Sequence, residues 1–301
     1  MNVSLFHAFR QRATIATLAR VVSSSVGQKI YANKSNRIEI PGTIFSDTIP
    51  PRSQRLINDY IYHVGGDPLS YKGILPPHFF PQWGFPLLAQ TIASLPYDPI
   101  RILNGGVLYE VRKPLPSTEP LRLTAQLMNV DDNGRRIVFH QKLVTGTESA
   151  PEALIAEISA ILPLKETKKS PILKKEKPKI HDNAQEIGRI HLNANAGLEF
   201  ALLTGDFNPV HWIGVYARLS GFSNTILHGF STMARAAEIL VKNRLSGRAN
   251  LLERFEAKFV KPLVLPNKVS IFIQENQIWV GHVQGGEPYL TGQFTIKEKN
   301  I

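Results

Sequence analysis

The stretch Ile226-Leu-His-Gly-Phe-Ser-Thr-Met-Ala-Arg-Ala-Ala-Glu-Ile-Leu-Val241 contains the most regular apolar pattern of the chain. From Phe230 onward, apolar side chains recur at spacings of three and four residues, which places them on one stripe of an α-helix. Because such a helix is stabilised by burying its stripe, we expect it to pack against a sheet. The stripe consists of Phe230, Met233, Ala234, Ala237, Leu240 and Val241.

Strand-like segments follow this helix, and a similar series lies earlier in the chain. Lys261-Pro262-Leu263 repeats Lys113-Pro114-Leu115, and each tripeptide stands after one apolar strand-like run and before three more. The agreement between the tripeptides and the order of strands favours an internal duplication over chance. The predicted strands are 106–111, 121–130, 136–144 and 154–162 in the first half, and 254–260, 268–274, 278–283 and 289–297 in the second.

Each half is therefore predicted to be an irregular segment, a central helix and four antiparallel strands that wrap the helix. The first-half helix is expected at 85–93, with Pro86 in its first turn. The fold class is α+β, with two such units forming a pseudo-dimer in one chain. We assign residues 1–38 to a basic N-terminal segment, 39–163 to the first unit, 164–182 to a Lys/Pro-rich linker and 183–301 to the second unit.

The net charge of +11 comes from two segments. Residues 1–38 contain no acidic residue, and residues 163–181 contain seven lysines, whereas the rest of the chain is neutral. We therefore expect no nucleic-acid partner. The linker is predicted to be a solvated connector, with attraction of acidic partners as the alternative. Residues 1–38 are interpreted as a helix of a cytoplasmic protein, with a mitochondrial transit peptide as the alternative.

Several classes of function lack support in the sequence. The chain has no cysteine, which excludes disulfides, thiolate nucleophiles and Cys-ligated metals. No apolar run reaches the roughly 18 to 20 residues that span a bilayer, so membrane insertion is not expected. The histidines at 7, 63, 78, 140, 181, 191 and 282 lack metal-ligand spacing. Neither a phosphate-binding glycine loop nor a serine-hydrolase elbow is present.

Residues suited to chemistry precede the central helix. In Thr204-Gly-Asp-Phe-Asn-Pro-Val-His211, a Pro-containing turn separates Asp206 from His211, so the two side chains can converge on one water molecule. At the start of the helix, the Gly229 N–H has no intrahelical acceptor and can stabilise a developing oxyanion. An ordinary capped turn followed by an ordinary helix start is the structural alternative.

These two segments, with Ala217 and Gly221-Phe222 between them, resemble the MaoC-like, (R)-specific enoyl-CoA hydratase family. The resemblance is close over the second half and holds only in outline over the first. It implies a double hot-dog fold and an enzyme that needs no metal or redox cofactor. It also implies Asp206 and His211 as the catalytic pair, Asn208 as the residue that orients the turn and its water, and Gly229 as the oxyanion donor.

The activity implied by the resemblance is reversible hydration of trans-2-enoyl thioesters to (R)-3-hydroxyacyl thioesters on coenzyme A or acyl carrier protein. A hot-dog thioesterase and a non-catalytic acyl-binding subunit remain alternatives, because one fold hosts many functions. A homodimer is compatible with the sequence. Candidates for binding the phosphates of coenzyme A are Arg254, Lys258 and Lys261.

The first half is predicted to have lost its site. If Asp67 is the counterpart of Asp206, then Leu69 stands where Asn208 is expected and Lys72 stands where His211 is expected. A lysine is not a neutral base near pH 7 unless its pKa is strongly lowered. We therefore predict one active site per chain, with the space of the lost site open to an acyl tail.

An aromatic cluster at 79–85 precedes and begins the predicted first-half helix. We expect this cluster to lie in the core, with the lining of an acyl tunnel by Phe80 and Phe85 as the alternative.

Overall fold

The structure is a computed structural model that describes residues 3–4, 7, 39–97, 101–164 and 176–297. The helices in these ranges are α1 (Gln54–His63), α2 (Pro81–Ile92), α3 (Ala196–Thr204), α4 (Gly214–Leu219) and α5 (Gly229–Arg244). Short 3₁₀ turns span Pro68–Tyr71, Pro77–Phe79, Pro209–His211 and Ala249–Leu251. The strands are β1 (Phe45–Ile49), β2 (Leu103–Val111), β3 (Leu121–Asp132), β4 (Arg136–Gly146), β5 (Leu154–Pro163), β6 (Gln185–Leu192), β7 (Leu252–Phe259), β8 (Asn267–Gln274), β9 (Gln277–Gly281) and β10 (Leu290–Ile296).

The strands of the described residues form one antiparallel sheet in the order β1-β3-β4-β5-β2-β7-β10-β9-β8-β6. Read outward from the centre, each half has the same order, and β2 pairs with β7 to join the halves edge to edge. Leu108 faces Glu256 in this pairing. Because Lys113 and Lys261 of the repeat are also separated by 148 residues, the register agrees with the duplication.

The predicted central helix of the second half is α5, and its apolar stripe is buried as expected. Its counterpart α2 occupies the first half. The two helices meet near their N-terminal ends, where Phe80 and Phe230 pack edge to face with ring centroids 5.4 Å apart. Burial of this aromatic pair makes the halves share one hydrophobic core.

The segment before each central helix is more regular than expected. It contains a strand and a helix, namely β1 and α1 in the first half and β6 and α3 in the second. The strands β1 and β6 pair with β3 and β8, so each half has five strands rather than four. Both are edge strands with many exposed polar residues, and such strands show little apolar alternation.

Helix α2 begins at Pro81, earlier than predicted, so Pro86 lies inside the helix rather than in its first turn. Most of its residues are buried or partly buried, and it therefore lacks the polar face that marks the start of a surface helix. Pro81 takes the first helical position, where a missing N–H removes no intrahelical hydrogen bond.

The predicted linker lies largely outside the described residues, but its C-terminal part is visible. Ile180 is buried against Phe272 and Trp279, and its backbone N–H donates to the Gly286 carbonyl at 2.9 Å. The packed part of the second half therefore begins near residue 180. Most of the basic N-terminal segment also lies outside the described residues.

None of the helices in the described ranges is long and apolar enough to span a bilayer.

Candidate active site

A sharp turn after α3 positions the first catalytic candidate. Gly205 ends the helix in the left-handed region, with a φ of 85°, and its N–H donates to the Ala201 carbonyl at 2.8 Å. Glycine accepts this conformation without steric cost. The chain therefore leaves α3 abruptly, and Asp206 follows at the start of the turn.

Asn208 and Asp206 shape the turn through hydrogen bonds to its backbone. The Asn208 side-chain oxygen accepts from the Val210 N–H at 3.3 Å, and an Asp206 carboxylate oxygen accepts from the Asn208 N–H at 3.4 Å. Asn208 thus caps the 3₁₀ turn Pro209–His211. The structure agrees with the turn-orienting part of its expected role, whereas its contact with a water remains a prediction.

Close packing between α3 and the turn fixes His211. A Cβ on Gly197 of α3 would collide with the His211 carbonyl oxygen, so only glycine allows this approach. The His211 ring is buried, and its Nδ1–H donates to the Ile226 carbonyl at 2.8 Å. This bond leaves the Nε2 lone pair of His211 available to accept a proton.

His228, which the sequence analysis did not assign to the site, lies beside Asp206 and His211. Its ring stacks on His211 with centroids 3.6 Å apart, and Phe200 packs on it with a centroid distance of 4.9 Å. Its Nε2–H donates to the backbone carbonyl of Asp206 at 3.0 Å. The His-Gly dipeptide at a helix start did not reveal these contacts, because they depend on tertiary packing.

Asp206, His211 and His228 form one compact polar cluster. One imidazole nitrogen of each histidine and one carboxylate oxygen of Asp206 lie within 4.8 Å of one another. This spacing is close enough for the three atoms to coordinate one metal ion. Each imidazole already donates one N–H to a backbone carbonyl. The cluster therefore has a defined proton arrangement, with one imidazole nitrogen of each ring left as an acceptor.

Burial shifts the catalytic candidates toward their neutral forms. It raises the pKa of Asp206, against the opposing effect of nearby His211, and lowers the pKa of His211, against the opposing effects of Asp206 and the Ile226 carbonyl. Burial and His211 together hold the pKa of His228 well below its usual range. Such shifts are typical of groups that exchange protons near neutral pH.

Gly229 is the first residue of α5 and follows the N-cap His228. Its N–H lies among the helix-start groups that have no intrahelical acceptor. A Cβ at this position would lie 2.6 Å from the Phe259 ring, so the close approach of α5 and β7 requires glycine. The position therefore retains an accessible backbone donor of the kind that stabilises an oxyanion.

A cavity of about 1010 Å³ contains Asp206, His211 and Gly229 in its wall. Side chains of the first half continue this wall, from α2 and from β5. The cavity wall is therefore shared between the two halves. The first-half residues that line it include Phe85, Leu88, Ile92, Ile158 and Ala160.

The aromatic cluster divides between core and cavity. Phe79, Phe80 and Trp83 are buried in the hydrophobic core and do not line the cavity, whereas Phe85 does. The core prediction is confirmed for the first three residues, and the tunnel interpretation is wrong for Phe80, because that ring packs against Phe230.

The three basic candidates lie in different places. Lys261 lines the cavity, and its Nζ lies 4.5 Å from the ring centroid of Tyr289. Arg254 and Lys258 are exposed on β7, and Lys258 pairs with Glu256 at 3.1 Å. They do not line the cavity. Binding of coenzyme A phosphates by any of the three remains a prediction.

The turn in the first half has a different register from the one predicted. Asp67 accepts from the Leu69 N–H at 2.9 Å and caps the 3₁₀ turn Pro68–Tyr71, as Asn208 caps its own turn. Asp67 is therefore the counterpart of Asn208 and not of Asp206. In this register the position of His211 falls on Ser70, and Lys72 is an exposed residue after the turn.

The counterpart of Asp206 falls on Gly65-Gly66, because Gly65, one residue beyond the C-cap Val64 of its helix, has a φ of 89°, close to that of the C-cap Gly205. Pro81 holds the place of Gly229 as the first residue of the central helix and has no N–H. These first-half positions thus lack the acid, the imidazole and the backbone donor.

Polar side chains fill the space beside this turn. The carboxylate of Glu238 lies where any side chain at Gly66 would stand, and its Oε1 lies 3.0 Å from His78 Nε2. Tyr60 and Tyr71 also contact His78 through their hydroxyl groups. The expectation that the lost site itself is open to an acyl tail is therefore wrong, since the cavity extends along α2 instead.

Part of the chain matches the model of a known family. Residues 177–285 match the family model described as MaoC like domain. Residues 177–285 are a MaoC-like domain. The MaoC-like domain contains the turn with Asp206 and His211, α5 and four of the five strands of the second half, β6 to β9.

Two curated relatives of this chain have names of hydro-lyases. Peroxisomal enoyl-CoA hydratase 2 of Arabidopsis thaliana is 22% identical over 265 residues, which cover 80% of this chain and 78% of that protein. The 3-hydroxyacyl-thioester dehydratase X of Mycobacterium tuberculosis is 30% identical over 96 residues, which cover 31% of this chain and 32% of that protein.

Solved structures share the fold of this chain. HtdX of M. tuberculosis superimposes with a TM-score of 0.67 at 16% identity, covering 84% of this chain and 99% of HtdX. A conserved M. tuberculosis protein described as having a double hot-dog fold gives a TM-score of 0.58 at 12% identity, covering 86% of this chain and 96% of that one. The predicted double hot-dog fold is confirmed.

Proposed function

We propose that this chain catalyses the reversible hydration of trans-2-enoyl thioesters to (R)-3-hydroxyacyl thioesters. The observation that carries this proposal is the placement of Asp206 and His211 together in the wall of a large cavity that also includes Gly229. The names of the curated relatives support the same reaction class. The residues needed for the proposed chemistry all come from the second half.

In the proposed mechanism, one water is held between the Asp206 carboxyl group and Nε2 of His211. The water oxygen forms a bond to C3 while its proton passes to the catalytic pair. The electron pair of the C2–C3 double bond moves toward the thioester carbonyl, and the Gly229 N–H stabilises the enolate oxygen. The catalytic pair then delivers a proton to C2, which restores its starting protonation.

The hydrogen bond from His211 Nδ1 to Ile226 supports the assignment of His211 as the proton acceptor. That bond fixes the neutral tautomer whose lone pair is on Nε2. Asp206 lies close enough to stabilise positive charge that develops on the ring. The two groups together can hold and move one proton without leaving an unpaired buried charge.

The substrate class follows from the shape of the cavity. Apolar residues of α2 and β5 suit the hydrocarbon tail of an acyl group, which gains free energy by leaving water. Lys261 is available in the same cavity wall for a phosphate of the carrier. We propose medium or long enoyl groups on coenzyme A or acyl carrier protein as substrates.

The test uses the purified full chain with crotonyl-CoA and with longer trans-2-enoyl-CoA substrates. Loss of the conjugated enoyl absorbance without release of free thiol is expected. Thiol release with a hydration rate near zero would contradict the proposal and favour a thioesterase. Binding of enoyl-CoA without either reaction would favour the non-catalytic alternative. Chiral analysis of the 3-hydroxyacyl product tests the (R) configuration.

A further inference from the structure

A second group of buried polar side chains lies between the two halves and outside the cavity wall. Arg235 of α5 is 9% exposed, and its Nη2 donates to Nε2 of His63 at 3.1 Å. On the other side of the same ring, Nδ1 of His63 lies 3.5 Å from a carboxylate oxygen of Glu199. His63 belongs to the first half, whereas Arg235 and Glu199 belong to the second.

This arrangement defines the protonation of His63. The guanidinium group of Arg235 has only N–H donors, so Nε2 of His63 must present its lone pair. The ring proton then lies on Nδ1, where it faces the Glu199 carboxylate. A single neutral tautomer satisfies both neighbours. Burial and Arg235 both lower the pKa of His63, which agrees with a neutral ring.

The two partners of His63 lie on the two helices that position the active site. Glu199 is on α3, which leads directly into the turn with Asp206 and His211. Arg235 is on α5, which begins at Gly229. The ring of His63 therefore links the helix that presents the catalytic pair to the helix that presents the oxyanion donor.

A packed path of side chains also leads from His63 to the catalytic pair. Phe200 follows Glu199 on α3, and its ring lies 6.3 Å from that of His63 and 4.9 Å from that of His228. His228 in turn stacks on His211. A shift of α3 relative to α5 would therefore move both imidazoles of the active site.

We propose that His63 is a positioning residue, whose neutral ring bridges Arg235 and Glu199 and holds the catalytic pair at the correct distance from Gly229. This inference rests on the proposed function. Through His63, the first half would help to set the distance between the catalytic pair and the oxyanion donor, although both belong to the second half.

Replacement of His63 by Gln or by Leu tests the bridge. Glutamine offers an oxygen to Arg235 and an N–H to Glu199, whereas leucine offers neither. We expect His63→Leu to lower kcat on crotonyl-CoA about 10- to 100-fold, the usual effect of misplaced catalytic groups, with KM nearly unchanged. His63→Gln should recover most of this loss. The exposed His191 of β6 provides a control, His191→Leu, with wild-type kinetics.

A double variant separates positioning from a general loss of stability. His63→Leu leaves the buried Arg235 without one partner and is expected to lower the melting temperature. His63→Leu combined with Arg235→Met removes that charge and should regain stability, but kcat should stay low. A double variant with wild-type kcat, or equal losses in His63→Gln and His63→Leu, would overturn the proposal.

The geometry can be tested without activity. The Cε1–H resonances of His211 and His228 should shift in His63→Leu and not in His191→Leu. If the wild-type chain hydrates no enoyl substrate but these resonances shift, the proposed function fails while the bridge stands. Unchanged resonances in a folded His63→Leu variant would contradict the bridge itself.

Discussion

At the scale of single residues, the active site depends on where each imidazole holds its proton. His211 and His228 are stacked 3.6 Å apart, and each donates one N–H to a backbone carbonyl. Two positive charges at this distance in a buried site are unfavourable. The stack therefore accepts one added proton at most, and the free Nε2 of His211 is the acceptor next to Asp206.

Removal of either catalytic group should abolish most of the activity. We expect Asp206→Asn and His211→Ala to lower kcat by about 10² to 10⁴, the usual contribution of positioned acid–base groups. The steady-state hydration rate on crotonyl-CoA measures this effect, with circular dichroism as a check on folding. Asp67→Asn is the matched control, because Asp67 only caps a turn in the first half. An equal loss of kcat in Asp67→Asn would show that the assignment of the reaction to the second half is wrong.

The pKa of His211 gives a second prediction at this scale. Burial lowers it below 6.5, and the negative charge of Asp206 opposes that shift. In Asp206→Asn the opposing charge is absent, so the pKa of His211 should fall further. An NMR titration of the His211 ring, assigned with His211→Gln, measures both values. A higher pKa in Asp206→Asn than in the wild type would contradict the arrangement.

At the scale of secondary structure, sequence patterns predicted the elements that bury a complete stripe or face. Helix α5 and the central strands were predictable because their apolar periodicity is strong. The edge strands β1 and β6 were not, because exposed polar residues mask their alternation. Helix α2 was placed too late, because its nearly complete burial leaves no polar face.

The candidate site was predictable in part for a related reason. Asp206, His211 and Gly229 lie on two short segments that have a recognisable spacing. His228 and His63 act through contacts between elements, which spacing does not show. The first-half register was misjudged because Gly66-Asp67-Pro68 looks like the catalytic turn, although its aspartate serves as the cap.

Gly66 provides a prediction at the level of the turn. The Glu238 carboxylate occupies the space of a Gly66 side chain, so Gly66→Ala should disturb the Glu238–His78 pair. We expect the free energy of unfolding to fall by about 1 to 3 kcal/mol, as for other overpacked sites. Urea denaturation measures the change. Adding Glu238→Asp shortens this side chain and moves its carboxylate away from residue 66, so it should restore part of the lost free energy of unfolding. An equal free energy of unfolding in the wild type and Gly66→Ala would contradict this packing.

At the scale of the whole molecule, the two halves have complementary parts in one site. The second half provides the candidate catalytic groups, and the two halves contribute similar numbers of apolar residues to the cavity wall. Substitutions in the first-half part of the wall should therefore change chain-length preference without touching the candidate catalytic groups. The two properties can then be changed independently.

Ala160 of β5 offers a test of this division. It lines the cavity from the first half, so Ala160→Phe should reduce the space for an acyl tail. We expect kcat/KM for a C12 or longer enoyl-CoA to fall about tenfold or more, a typical effect of a pocket that is too short, while the value for crotonyl-CoA changes far less. Ala160→Ser is the matched control. Equal losses for both substrates would show that the tail binds elsewhere.

The pairing of Leu108 with Glu256 across the β2–β7 junction has a consequence for how such a chain can change. In a symmetric homodimer, a residue on the twofold axis meets its own copy, so every substitution there must be compatible with itself. Here an apolar residue faces an acid at equivalent positions of the two repeats. Because the two halves are fused in one chain, the residues at the pseudo-twofold axis need not match themselves. Each half can therefore change at this position alone, whereas in a dimer of identical subunits the same substitution would appear on both sides.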